Sequence, residues 1–186
     1  MQEYRLSFYD VPPDGADFSV DDPAIWQEPL LEFHMDCRVD SALKAQGHIL
    51  PVDNGWLVRG SLTGRVVVPC SRCAEDALVP IDVHFEIFAA AKQSASSSDD
   101  ANDGSSDDMD ADAYVVWCNN VPMLDLTALC WEEFVLALPA NPLCCTSCKG
   151  LCAHCGANLN QGPCTCREEE GDPRMAALRG FIVHNN

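Results

Sequence analysis

Residues 48–60 read HILPVDNGWLVRG. Asn54-Gly55 lies between two apolar runs, and a two-residue hairpin turn of type I′ needs positive φ at both central positions, which this pair tolerates best. The segments on either side carry a period of two. In residues 31–40, LEFHMDCRVD, Leu31, Phe33, Met35, Cys37 and Val39 fall on one face and Glu32, His34, Asp36, Arg38 and Asp40 on the other, which predicts a half-buried strand. In residues 79–87, Val79, Ile81, Val83, Phe85 and Ile87 point inward while Asp82, His84 and Glu86 point outward. Residues 60–68 continue as a strand into Pro69. Residues 30–90 thus predict an antiparallel meander, a curled sheet or small open barrel.

Further out, Asp22 as N-cap and Pro23 at the first helical position predict a short helix that Pro29 ends. Residues 92–113, KQSASSSDDANDGSSDDMDADA, hold almost nothing that could offset the cost of ordering a backbone, and predict a disordered loop. Order resumes at residues 114–117 as a strand rejoining the sheet. Asp125 then caps a helix, LTALCWEEFVLAL, whose apolar face of Leu126, Leu129, Cys130 and Phe134 is widened by Leu124, Trp131, Val135 and Leu138. Such a helix covers a sheet, and Pro139 and Pro142 stop it. Asp172-Pro173 opens a short terminal helix reaching Phe181 and Ile182. The fold class is therefore α+β, divided into an N-terminal strand and helix (1–29), a sheet-plus-helix domain (30–139) and a cysteine-rich, zinc-ribbon-like tail (140–186).

A chain of 186 residues with 47% apolar content can bury one good core. The start, MQEYRLSFYD, has no secretory pattern, and no apolar run approaches the roughly 18–20 residues that span a bilayer. The expectation is a cytoplasmic protein with no membrane contact. Its formal charge of −18 argues against ordinary nucleic-acid binding through surface cations. Seven acids, Asp99, Asp100, Asp103, Asp107, Asp108, Asp110 and Asp112, belong to the low-complexity loop. The acidity suits a basic protein partner, and serves solubility equally well.

In a reducing compartment, twelve cysteines read as metal ligands, catalytic thiols or small core hydrophobes rather than disulfides. Cys37, Cys118 and Cys130 stand alone in apolar patterns and read as core. Cys70-Ser71-Arg72-Cys73 lies between two strands, where a tight turn aims backbone N–H groups at both sulfurs. Seven more, Cys144, Cys145, Cys148, Cys152, Cys155, Cys164 and Cys166, fall within 23 residues. Cys152-Ala153-His154-Cys155-Gly156 is a ribbon-type knuckle, its glycine permitting positive φ. All-sulfur ligation favours zinc, with iron chemically open. The preferred site is Cys152, Cys155, Cys164 and Cys166; a second joins Cys70 and Cys73 to Cys148 and either Cys144 or Cys145. His154 reads as solvent-facing, and His34 and His84 as surface.

The string Cys144-x-x-x-Cys148-Lys149-Gly150-Leu151-Cys152-x-x-Cys155-Gly156-x-Asn158-Leu159-Asn160, followed by Cys164-x-Cys166 and Asp172-Pro173-Arg174, resembles the YceD-like family of large ribosomal RNA subunit accumulation proteins. Cys70-Ser71-Arg72-Cys73 and the Asp125-capped helix ending in Leu136-Ala137-Leu138-Pro139 fit the same pattern. The resemblance implies a non-enzymatic role in ribosome biogenesis, structural zinc, and a large-subunit ribosomal RNA or large-subunit ribosomal protein as partner, with no small-molecule substrate. The doubled Cys144-Cys145 and the acidic loop depart from the family pattern. Arg72 and Lys149 set positive charge beside the cysteines and are candidate RNA or partner contacts; balancing thiolate charge is the plainer role for them. The rival is a thiol oxidoreductase or redox sensor using Cys70/Cys73 or Cys152/Cys155, although neither pair opens a helix after a strand. A zinc hydrolase would need H-E-x-x-H, which the chain lacks, or an H-x-E beside the metal ligands; His84-Phe85-Glu86 has that spacing but lies outside both cysteine clusters, on a predicted strand.

Overall fold

The expected hairpin is present, one residue out of register: Val52 stands opposite Gly55 in an antiparallel pair of fifteen-residue strands, β3 (Arg38–Val52) and β4 (Gly55–Pro69), so Gly55 opens β4 and is not a central turn residue. The structure, a computed structural model, describes residues 4–53, 55–90 and 114–166. The remaining strands are β1 (Arg5–Ser7), β2 (Ala16–Val20), β5 (Asp76–Ala90), β6 (Val115–Cys118) and β7 (Val121–Asp125), and the helices are α1 (Ala24–Glu32) and α2 (Leu126–Ala137). The strands form two antiparallel sheets, ordered β2-β3-β4-β5 and β1-β7-β6. The larger is the expected meander with β2 added at its edge, and it does not close into a barrel. The acidic loop and the terminal helix lie outside the described residues.

The period of two in β5 holds: Ala77, Ile81, Phe85 and Ala89 are buried, Val79, Val83 and Ile87 half-buried, and Asp82, His84 and Glu86 exposed. The sheet curls for two local reasons. Register shifts in β3 between Val39, Ser41 and Lys44 bend that strand against β4. One row across the four strands pairs Phe18 with Gly47, Gly47 with Gly60 and Gly60 with Phe85. A Cβ on Gly60 would lie 2.5 Å from Phe85 Cζ, and one on Gly47 2.8 Å from Phe18 Cε1, so the two phenyl rings cover ground that only glycine leaves free.

Two further expectations need correction. The alternation in residues 31–40 does not begin a strand at Leu31: α1 runs through Pro29 to Glu32, and β3 starts at Arg38. Burial of Ile25, Trp26 and Leu30 holds the helix together past the missing N–H of Pro29. It closes in a Schellman motif, with Met35 N–H donating to Leu30 O (2.9 Å), His34 N–H to Leu31 O (3.2 Å) and His34 at φ 51°. Leu31 and Phe33, expected inside, are 77% and 61% exposed. The second correction concerns residues 114–117, whose strand pairs with β7 and not with the meander. Asn119 and Asn120, both at positive φ (50° and 66°), make a two-residue turn that folds β6 back on β7 first.

α2 follows its apolar stripe, burying Leu126, Leu129, Cys130 and Phe134. Burial pushes the Cys130 thiol up to about 12, the behaviour of a core hydrophobe. Asp125 caps the helix, accepting from Thr127 N–H (3.0 Å) and Ala128 N–H (3.1 Å), and pairs with Arg5 at 2.9 Å. Asp125→Ala removes both bonds and strands Arg5, so stability should fall by about 1–2 kcal/mol, read as a lower urea midpoint at unchanged slope.

Candidate metal centre

The turn between β4 and β5 is a knuckle. Cys70 N–H donates to Glu75 O (2.8 Å), Ala74 N–H returns to Cys70 O (2.9 Å), and Arg72 N–H points at Cys70 Sγ (3.5 Å). Ala74 takes φ 60°, a conformation that costs an alanine roughly 1 kcal/mol relative to glycine. Residues 152–157 repeat the arrangement: Cys152 N–H donates to Ala157 O (2.8 Å), Gly156 N–H to Cys152 O (2.9 Å), and Gly156 has φ 71°. The chain therefore contains two knuckles of one design, and the first was harder to read because alanine stands where glycine would signal the turn.

After α2 the chain crosses the end of the β4–β5 hairpin and is tied to it by backbone. Ser71 N–H donates to Pro142 O (2.8 Å), Leu151 N–H to Arg72 O (3.0 Å), and Arg72 Nη1 to Cys148 O (2.9 Å). Gly150, at φ 77°, lets this strand approach: an added Cβ would stand 3.1 Å from Arg72 O. This crossing brings Cys148 Sγ to 3.8 Å from Cys70 Sγ and Cys144 Sγ to 3.6 Å from Cys73 Sγ. The ligand atoms of Cys70, Cys73, Cys144 and Cys148 all lie within 4.8 Å of one another, and so do those of Cys152, Cys155, Cys164 and Cys166. Cys164 and Cys152 stand 3.4 Å apart. Sulfurs at tetrahedral corners about a zinc ion, at the usual bond length, would be about 3.8 Å apart, so both groups fit such an ion. Between Cys144 and Cys145, left open by spacing, the structure brings Cys144 into the first group; Cys145 is exposed and faces Ser147 Oγ at 3.8 Å.

Four thiols this close cannot all ionise without a cation between them. In the first group burial opposes ionisation of Cys70, but N–H groups of Arg72, Cys144 and Cys73 outweigh it and hold the thiol at about 6. Asn160, whose Nδ2 donates to Cys148 Sγ (3.4 Å), leads the lowering of Cys148. Cys144 is forced upward, first by its bond to Cys73. In the second group the N–H groups of Cys155 and His154 bring Cys152 to about 6, while sharing with Cys155 pushes Cys166 to about 12. A divalent ion would replace the retained protons, and it would supply a four-bond cross-link with no open position for a substrate.

The sequence reading missed the part played by the two asparagines. Asn160 also accepts Lys149 N–H through Oδ1 (2.7 Å), and Asn158 accepts from Asn160 and donates to Glu75 (3.2 Å). They fix the loops that carry Cys148 and Cys152. Their signal was the Asn158-Leu159-Asn160 string itself.

Residues 58–182, from β4 through both cysteine groups, match the family described as large ribosomal RNA subunit accumulation protein YceD. The chain belongs to the YceD family. Among individual proteins it is 31% identical over 156 residues to uncharacterized proteins of Mycobacterium tuberculosis and Mycobacterium bovis, an alignment covering 83% of this chain and 63% of theirs. It is 25% identical over 128 residues to the chloroplastic large ribosomal RNA subunit accumulation protein YCED homolog 1 of Arabidopsis thaliana, covering 61% of this chain and 40% of that one. No solved structure matches it. In this YceD-family chain, Arg72 and Lys149 are both exposed at the rim of the first sulfur group, and His154 is exposed on the second knuckle. No helix among the described residues is long and apolar enough to cross a membrane.

Proposed function

We propose that this chain is a non-enzymatic cytoplasmic factor that supports accumulation of large-subunit ribosomal RNA and biogenesis of the large ribosomal subunit. In this reading Cys70, Cys73, Cys144 and Cys148 hold one structural zinc, and Cys152, Cys155, Cys164 and Cys166 a second. The observation that carries it is a coincidence in one segment: the family match spans residues 58–182, and all eight cysteines of the two closed sulfur groups lie inside it. Closed, all-sulfur groups favour a structural role over catalysis. They also count against the oxidoreductase rival, because Cys70 and Cys152, the thiols held low, each sit among three other sulfurs at ligand spacing.

Arg72 and Lys149 are the proposed contacts to ribosomal RNA or its protein. Arg72 is braced by Cys148 O, and the backbone of Lys149 by Asn160, so both side chains leave a fixed surface. Arg72→Glu with Lys149→Glu should weaken co-sedimentation with precursor large-subunit particles by about tenfold, and more steeply as salt is lowered. Unchanged co-sedimentation, at unchanged zinc content, would remove the patch. Absence of the wild-type chain from those fractions would remove the ribosomal reading altogether.

A further inference from the structure

α1 and the first turns of α2 flank a groove that the metal centre does not use. Two cavities of about 150 and 240 Å³ adjoin along Pro29, Glu32 and Thr127. One wall carries Asp22, Glu28 and Glu32, and the far end is closed by Phe33 stacked on Trp131, ring centroids 5.9 Å apart and planes 17° from parallel. Phe33 is 61% exposed, an unusual place for an aromatic ring with nothing over it.

The charge arrangement points to what covers it. Glu28 and Glu32 are four residues apart on one helix, where like charges repel by roughly 0.2–0.5 kcal/mol. Among the described residues, no ion pair reaches Asp22, Glu28 or Glu32; the groove's one cation, Arg5, is taken by Asp125. A cation from elsewhere would turn that repulsion into attraction, and the aromatic pair beside the acids offers apolar surface next to it. A second copy of the chain, at −18, is a poor source. So is the chain's own tail, where Arg167, Arg174 and Arg179 are outnumbered by Glu168, Glu169, Glu170 and Asp172. RNA brings phosphates to carboxylates.

We propose that the groove between α1 and α2 docks a segment of a partner protein in which lysine or arginine alternates with apolar side chains. The proposal rests on the ribosomal reading, since proteins that live on RNA carry such cationic segments. It adds a protein contact through residues other than Arg72 and Lys149. The acids steer and orient the segment, Glu28 and Glu32 each meeting a cation, while Pro29, Phe33 and Trp131 receive the apolar residues between.

The test is fluorescence anisotropy of the full chain with a labelled peptide in which arginine and lysine alternate with leucine and phenylalanine. Glu28→Gln with Glu32→Gln should weaken binding about tenfold, while the same charge change at Asp53→Asn with Asp82→Asn, away from the groove, should alter it by less than about twofold. Equal weakening by both pairs would reduce the effect to net charge and overturn the proposal. It would equally fall if a large-subunit RNA oligonucleotide, and not the peptide, responded to the Glu28 and Glu32 changes. Tighter peptide binding by Arg174→Glu with Arg179→Glu would assign the groove to the chain's own tail, overturning it too. If the groove variant binds like wild type while the wild-type chain still sediments with precursor large subunits, the groove fails and the ribosomal reading stands. Groove-specific binding by a chain absent from those fractions would uphold the groove and sink that reading.

Discussion

Cys70→Ser should release one zinc and undock residues 140–166 from the sheet, whereas Cys164→Ser should release one zinc and loosen only the lobe around it. The asymmetry follows from where each group closes. The first joins a hairpin turn to a segment more than seventy residues later, and among the described residues the bonds across that junction involve residues beside it: Ser71 to Pro142, Arg72 to Leu151 and Cys148, Glu75 to Asn158. The second is contained within residues 152–166. Structural zinc contributes on the order of 10 kcal/mol or more, comparable with the whole stability of a domain, so no remaining contact near Cys70 can replace it. Elemental analysis of reduced protein should read two zincs per chain for wild type, one for each variant, matching the two sulfur groups. Hydrogen exchange should show residues 142–151 unprotected in Cys70→Ser and protected in Cys164→Ser. A wild-type chain with less than one zinc would refute both assignments.

Phe134→Ala should be the most damaging change far from the cysteines. Phe134 is fully buried on α2, meeting Trp26 of α1 edge-on at 5.8 Å and Trp131 at 5.5 Å. Losing the ring leaves a cavity between the helices and removes the aromatic pairs, which together cost about 3–5 kcal/mol. For a chain of this size the midpoint of thermal unfolding should drop by on the order of 10 °C. Leu136→Ala, two residues on but 70% exposed, should change stability by less than about 0.5 kcal/mol. Similar losses for the two variants in calorimetry would show that α2 does not pack as described.

Much of the fold was legible where the deciding forces are local. The β3–β4 hairpin, the inward set of β5 and the Asp125 cap each depend on a turn, a period or a side chain within a few residues of its partner. The reading failed where two local patterns competed. Residues 31–37 alternate like a strand, yet Leu30 is buried by α1 and the chain ends that helix with His34 in the left-handed region, so the alternation there has no sheet beneath it. Asn119-Asn120 is the central pair of a tight turn, the role expected of Asn54-Gly55, and it commits β6 to β7 before that strand can join the meander.

The cysteines divide along the same line. The sequence alone favours grouping Cys152 with Cys155, Cys164 and Cys166 without fixing it by spacing, because a knuckle and a nearby pair in a short loop have few other ways to meet, and the structure brings those four sulfurs within 4.8 Å of one another. That Cys70 and Cys73 face Cys144 and Cys148, with Cys145 turned to solvent, was decided only by tertiary structure. It depends on the β4–β5 register placing the hairpin end under the segment that leaves α2, and on a backbone crossing at Gly150 close enough for Leu151 to bond Arg72. The groove between α1 and α2 is of the same kind: its acids are adjacent in sequence, but only helix packing sets them beside the exposed ring of Phe33 on Trp131.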